Sequence, residues 1–379
     1  MRKALLASTA LVGAALLSAP AYAGTVGSGN NLAVSLSGLL WVQANILDED
    51  SQAGYGRGYR FKIPETEVHI NASNTADNGV KYGVHLELEA NQDVTADGDE
   101  AWAFMSGDFG RLEIGDQDDV TNRWHVGAYQ AHKGLSGPFG GLGGIAPVFH
   151  LATPAWISRT DWQVVTSSDA TKIIYLSPKF NGVQVGASFT PDSGQNGGSW
   201  TETDNDGDYE KMIGLGARYD GKVGDVGLSA SVLYETAEDE DANGADDTIN
   251  DLEVLAVGVK ASIGSFVLGA NWRDNNETNV TVANEALGAD AGTYWAVAAG
   301  YQQGPWGLSV WYSNGELDNA SSAAESTTSM DRWGVGARYA MAPGWSLRAD
   351  YNAYDHDNIS GASTDNKAKA FILTNMFSF

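Results

Sequence analysis

The sequence predicts an all-β chain: a transmembrane antiparallel β-barrel of about sixteen strands, with short turns at one end and long loops at the other. Three observations predict it. Apolar residues recur with period two along run after run, and the opposite face of those runs carries full charges. Beyond its first residues the chain also has no unbroken apolar stretch long enough to cross a bilayer as a helix. Of 379 residues only 18% are charged, yet 46 are Gly, 12 Trp and 15 Tyr, and the mean hydropathy is −0.24. A wall facing lipid on one side and water on the other averages to such a hydropathy, with aromatic girdles and glycine-bearing turns.

The chain opens on Arg2 and Lys3, an uncharged apolar run over 4–17, and then Ala21-Tyr22-Ala23. A basic start, a short apolar core and a small-x-small site read as a secretory signal peptide over 1–23, with one barrel domain over 24–379. Cleavage there removes two basic residues and no acidic ones, so the mature chain is more negative still than the formal −26. That charge repels phosphates and excludes nucleic acid as a natural partner. With no Cys in an exported chain, disulfides, thiol catalysis and cysteine metal sites are excluded.

Strand periodicity is explicit in the body of the chain. Val80, Tyr82, Val84, Leu86 and Leu88 share one face, against Lys81, Gly83, His85, Glu87 and Glu89. Trp333, Val335, Ala337 and Tyr339 oppose Arg332, Gly334, Gly336 and Arg338; Trp345, Leu347, Ala349 and Tyr351 oppose Ser346, Arg348, Asp350 and Asn352. A dry core does not tolerate such charged faces, whereas a wet lumen does. Trp272, Trp306, Tyr312, Trp333, Tyr339, Trp345 and Tyr351 stand near the ends of the runs, where headgroup-level girdles belong. Short turns are expected at 76–79, 107–110, 178–182, 221–224, 263–265, 303–305 and 342–344. Long polar loops are expected at 191–208, 237–250, 274–291, 314–329 and 355–366. Pro64 interrupts the second run and predicts a bulge. The uncharged stretch 134–158 carries three Pro and many Gly, which excludes a membrane helix.

Three segments carry a specific resemblance. The stretch 371–379 alternates and ends on Phe379, like the last strand of outer-membrane barrels. Residues 107–117 resemble a turn and fifth strand, and residues 175–182 a later hairpin, of the general Gram-negative porins. The resemblance spans essentially the whole mature chain. It implies an outer-membrane homotrimer, a third loop folded into the pore, and passive diffusion of small hydrophilic solutes and ions. The next strand is not evident until Thr171, which leaves more than fifty residues for that loop. In the family the loop presents carboxylates to a constriction and basic wall residues stand opposite. Carried over by position, the acidic side is Asp116, Asp118 and Asp119. The basic side is Arg60, Lys62, Arg111, Arg218, Arg338 and Arg348. The competing reading of each is a solvated rim or turn charge. Residues 139–144, uncharged and glycine-rich, depart from the family pattern. The net charge predicts a preference for cations. Small residues at Ala256, Ala296, Ala298 and Gly300, read as outward-facing, offer a flat subunit contact.

Asp239, Asp241 and Asn243 place oxygen ligands two apart ahead of Gly244, like the first half of a calcium loop. Asn250 stands where a bidentate Glu belongs, so a solvated acidic loop is the competing reading. Calcium there would bridge the loops to anionic lipopolysaccharide, and no cofactor is required. No Gly-x-Ser-x-Gly or His-Glu-x-x-His motif supports an enzyme; His69 and His85 read as polar wall residues. A substrate-specific channel and a non-conducting structural or adhesive barrel are the alternatives. Trp311 is an inward aromatic on its strand, too little for a sugar path.

Overall fold

Every period-two run becomes a strand, and the strands pair in sequence order until the last meets the first. The computed structural model describes residues 32–50, 58–90, 97–135, 137, 167–195, 208–240, 248–324, 326–358 and 365–379. The signal segment 1–23, the loop segment 139–144, Asp241 and Asn243 lie outside the described residues.

The strands are β1 (Ala33–Glu49), β2 (Tyr59–Thr75), β3 (Lys81–Glu89), β4 (Asp97–Gly107), β5 (Gly110–Asp116), β6 (Thr171–Leu176), β7 (Val183–Asp192) and β8 (Tyr209–Val223). The second half comprises β9 (Val226–Asp239), β10 (Leu252–Ile263), β11 (Phe266–Asp274), β12 (Thr293–Gln303), β13 (Trp306–Asp318), β14 (Thr327–Ala342), β15 (Trp345–Asp357) and β16 (Asn366–Ser378). All neighbours are antiparallel and the sheet closes as a barrel through β1 and β16. At the seam Gly38 N donates to Phe379 O (2.9 Å), and Phe379 N donates to Gly38 O (3.0 Å). Closure leaves no strand edge to be satisfied in lipid. Among the described residues, two one-turn helices, α1 (Val120–Arg123) and α2 (Val282–Glu285), lie in loops.

Pro64 stands at the expected bulge. Trp41 pairs with Glu65 and Gln43 with Lys62, so Ile63 and Pro64 together face Val42. The missing N–H of proline falls where the ladder is already broken. The turn expected at 221–224 is tighter: β8 runs through Gly221 to Val223 and the reversal is made at Gly224, with φ +61°. Several strands also outrun their apolar alternation, β7 to Asp192, β9 to Asp239, β13 to Asp318 and β15 to Asp357. Backbone pairing needs no apolar face, so the ladder continues beyond the lipid while the side chains turn polar.

The outer face is banded. Each strand from β11 to β16 carries two outward aromatics six residues apart: Phe266/Trp272, Trp295/Tyr301, Trp306/Tyr312, Trp333/Tyr339, Trp345/Tyr351 and Phe371/Phe377. Six residues of strand span about 20 Å. The rows knit across strands: Phe266–Tyr301, Trp306–Tyr339 and Trp345–Phe377 meet at ring-centroid distances of 5.0, 4.4 and 5.8 Å at the turn end. Trp295–Tyr312 and Trp333–Tyr351 meet at 5.3 and 5.7 Å toward the loop end. Between the rows lie aliphatics such as Leu268, Val297, Leu308, Val310 and Val335, all exposed in the isolated chain. Lipid is the solvent that makes such a surface stable.

Candidate functional site

The long segment after β5 turns into the barrel and follows its inner wall. Asp119 starts it: its carboxylate accepts from Asn122 N (2.8 Å) and Thr121 Oγ1 (2.9 Å) and so caps α1. Asp118 accepts from Asn122 Nδ2 at 3.2 Å. Val120 and Trp124 then pack on an apolar patch of the inner wall made by Met212, Leu233, Leu252, Val254 and Ala256.

From there tether and clearance alternate strand by strand. Val126 N donates to Ser231 Oγ on β9 (3.1 Å) and Ala128 N to Asn271 Oδ1 on β11 (3.0 Å). Lys133 N donates to Ser309 Oγ on β13 (2.8 Å) and Leu135 N to Asp350 Oδ2 on β15 (2.9 Å). The strands between supply glycine. A Cβ on Gly258 of β10 would sit 1.7 Å from Val126 O, and one on Gly300 of β12 would sit 2.0 Å from Ala131 O. Gly336 of β14 makes room for His132 and Gly134 in the same way. His132 Nε2 lies 2.7 Å from Asp350 Oδ1, both side chains fully buried. Leu135 finally packs on Leu39 and Trp41 of β1.

This path corrects one expectation. Ala256, Ala296, Ala298 and Gly300 do not face outward; they are buried on the inner wall, where Ala296 and Ala298 pack with Ala128 and Ala131 of the loop. Their small size admits the loop and offers no subunit contact. Trp311 does point inward, onto the same alanines and edge-on to His132.

Charge is divided between two arcs of the lumen. Glu65, Glu67, Glu87, Glu89, Glu100 and Glu113 are buried on the inner faces of β2 to β5. The opposite arc carries Arg218, Lys260, Arg273, Arg332, Arg338 and Arg348 on β8 to β15, where Glu235 also stands. Arg338 and Arg348 face each other across β14 and β15. Arg348 Nη1 donates to Gly134 O (3.1 Å), and Arg218 pairs with Asp220 (2.8 Å). Burial, with Arg338, Arg348 and Lys260 nearby, pushes the Lys133 ammonium below the usual lysine range. On the acidic arc Glu113 takes up both Arg111 Nε and Arg123 Nη2, the latter at 2.6 Å, and the Arg111 guanidinium lies 3.8 Å over the Phe104 ring. Burial alone would lower Arg123, but Glu113, followed by Glu100 and Asp118, outweighs it and holds the guanidinium above its usual range.

The sequence-selected residues therefore divide. Arg60 and Lys62 alternate with outward Tyr59, Phe61 and Ile63, which places them on the inner face of β2. Arg111 is neutralised beside the acids; Arg218, Arg338 and Arg348 share the basic arc. Asp116 ends β5 and accepts from Thr171 Oγ1. Asp118 and Asp119 are almost wholly buried and hold the root of the loop. Asp239 ends β9, where its N–H donates to Asp251 Oδ1 (3.0 Å). The tethers Ser231, Asn271, Ser309 and Asp350 escape a reading of the sequence alone. Their signal is a small or polar residue on an inner face beside a glycine on the next strand.

Residues 7–359 match the family model described as Gram-negative porin. The chain belongs to the Gram-negative porins. No curated protein sequence matches it. Among solved structures the porin resembles the trimer form of OmpT, an outer membrane protein of Vibrio cholerae, at 13% identity over 92% of this chain and all of that one, with TM-score 0.61. It also resembles the anion-selective porin from Comamonas acidovorans, at 14% identity over 91% and 100% of the two chains, with TM-score 0.60. A mutant of Rh. blastica porin matches at 17% over 91% and 100%, with TM-score 0.55. These likenesses carry the sixteen-stranded fold. Family and closed barrel together make this an outer-membrane channel protein, with its long loops external and its short turns periplasmic.

Proposed function

We propose that this porin is a passive diffusion channel for small hydrophilic solutes and ions, with a preference for cations. One observation carries the reading: a closed barrel whose inner loop is fastened to the wall, leaving a lumen with an acidic arc facing a basic one. A transverse field of that kind admits small polar solutes and disfavours apolar ones. Six buried glutamates on β2 to β5, in a chain of net charge −26, favour cations in the bore. Arg60, Lys62, Arg218, Arg338 and Arg348 are the basic lining, and Asp116 is the acid at the end of β5, just before the loop root. The basic arc supports a second reading, anion preference, the property for which the Comamonas acidovorans porin is named.

We also infer a homotrimer, as one Vibrio cholerae neighbour is described. The aromatic rows cover β11 to β16, whereas the outer faces of β3 to β5 present Val84, Leu86, Leu88, Met105 and Ile114 with Ala101 and Ala103. That arc suits a subunit contact; lipid covers the girdled arc and lipopolysaccharide meets the outer rim. Planar-bilayer recording across a salt gradient tests the channel. Ohmic steps in threes and a reversal potential of cationic sign are expected; silence from folded protein rejects diffusion, and the opposite sign selects the anionic reading. Unheated, detergent-extracted protein should migrate as a trimer, and a monomer under gentle extraction rejects that part.

A further inference from the structure

The acidic arc contains a group whose donors converge. His85 on β3 lies opposite Asn71 on β2, and its Nδ1 is 2.8 Å from Asn71 Oδ1. An amide oxygen only accepts, so Nδ1 carries the proton and Nε2 keeps its lone pair. That Nε2 is buried, makes no hydrogen bond, and points between Glu87 Oε2 (3.7 Å) and Glu100 Oε2 (3.8 Å). His85 is only 5% exposed. The three ligand atoms all lie within 4.8 Å of one another.

The strand register sets two of the three ligands side by side. Glu87 and Glu100 are directly opposed across β3 and β4, and both are buried. Like charges at opposed positions destabilise a sheet, and burial removes the water that would screen them. Of the nearby guanidinium groups, Arg111 and Arg123 bond Glu113, and Arg123 acts on Glu100 only at longer range. The neighbouring His69 bonds Glu67 at 2.9 Å, and its Nε2 lies 3.4 Å from Glu87 Oε2, so it braces that carboxylate from the β2 side.

We propose that His85, Glu87 and Glu100 bind a divalent transition-metal ion of the zinc class inside the pore wall. Zinc takes imidazole nitrogen and carboxylate oxygen at about 2.0–2.2 Å in tetrahedral array, which sets ligand atoms roughly 3.3–3.6 Å apart. The nitrogen–oxygen separations exceed that by a few tenths of an ångström, a gap that small side-chain rotations close. The remaining position is left to water or to a passing anion. Asn71 is the orienting partner that a metal-bound histidine ordinarily has. Trp102 stacks on the imidazole (centroids 4.9 Å, 26°), and its Nε1 donates to Glu100 Oε2 at 3.0 Å, fixing both ligands from one side. The bound ion makes this stretch of wall less negative, so metal occupancy lowers the cation preference of the bore.

The test is binding first and conduction second. Chelator-stripped, folded protein in detergent micelles is titrated with Zn²⁺ by calorimetry and with Co²⁺ by visible absorption. One ion per chain is expected, with the intense absorption of tetrahedral Co²⁺. His85→Gln and the isosteric Glu100→Gln should each weaken binding by roughly ten-fold or more. His125→Gln, a buried histidine outside the cluster, should leave binding unchanged. Retention of both Zn²⁺ affinity and the Co²⁺ band in His85→Gln or in Glu100→Gln overturns the assignment, as does absence of stoichiometric binding in the native chain. Because binding is read in micelles, its failure is separate from any failure of the channel reading.

Discussion

His125 shows what burial does to one side chain of the inner loop. Its ring is 2% exposed, stacks on Tyr129 (5.7 Å, 29°), and stands near Arg273 of β11 and Arg218 of β8. Burial first, and those two guanidinium groups second, lower it from 6.5 to about 3. A loop detached from the wall would bind a proton near the ordinary value, whereas the docked loop refuses it until about pH 3. Below pH 6.5 the detached state gains by protonation and docking weakens, by at most about 1.4 kcal/mol for each pH unit of that window. Above pH 6.5 the docked loop keeps its full stability. Acidifying the native channel from pH 7 to 4 should therefore increase current noise and loop-dependent closures, and His125→Gln should flatten the response. An identical pH response in the variant would remove His125 from the explanation.

At the scale of elements the loop and the wall define each other. β9, β11, β13 and β15 each present a polar side chain to a loop N–H, while β10, β12 and β14 each present a bare glycine. A methyl at Gly258 has only 1.7 Å to Val126 O, far inside contact distance, so Gly258→Ala must lift the loop. The strand itself gains a better β-former at that position. The expected result is a barrel that folds and assembles as the native chain does but conducts more per channel, with the loop more quickly cut by protease. Unchanged conductance and proteolysis would mean the loop does not narrow the bore. The strands are legible in the sequence because one face meets lipid and the other carries charge. β10 and β12 are the exceptions: Leu252, Val254 and Ala256 alternate with Leu255 and Val257, and Tyr294, Ala296 and Ala298 with Trp295 and Val297, so either face reads as apolar. That ambiguity sends the small inner residues to the outside on a sequence reading. What fixes the phase is girdle height, set by Trp295 and Tyr301, and that emerges only when six strands are aligned side by side.

For the whole molecule, the strand count, the turns, the bulge at Pro64 and the start of β6 at Thr171 are legible, because each is local in the chain. The acid and base arcs are not, because they are sums over strands distant in sequence: Glu67, Glu87 and Glu100 meet only through register, and Arg338 meets Arg348 in the same way. This arrangement makes selectivity a property of a field and not of one ring of charges. Fields of fixed charge are screened over about 10 Å at 0.1 M salt and about 3 Å at 1 M. If cations are favoured because the acidic arc polarises the lumen, the permeability ratio should fall toward unity as mean salt rises at constant gradient. Neutralising the opposing arc with Arg338→Gln and Arg348→Gln should raise the cation preference at 0.1 M and change little at 1 M. Reversal potentials measured at both concentrations decide it. A preference that survives 1 M salt would require ions to pass in direct contact with carboxylates, and the long-range field would then not be the selecting agent.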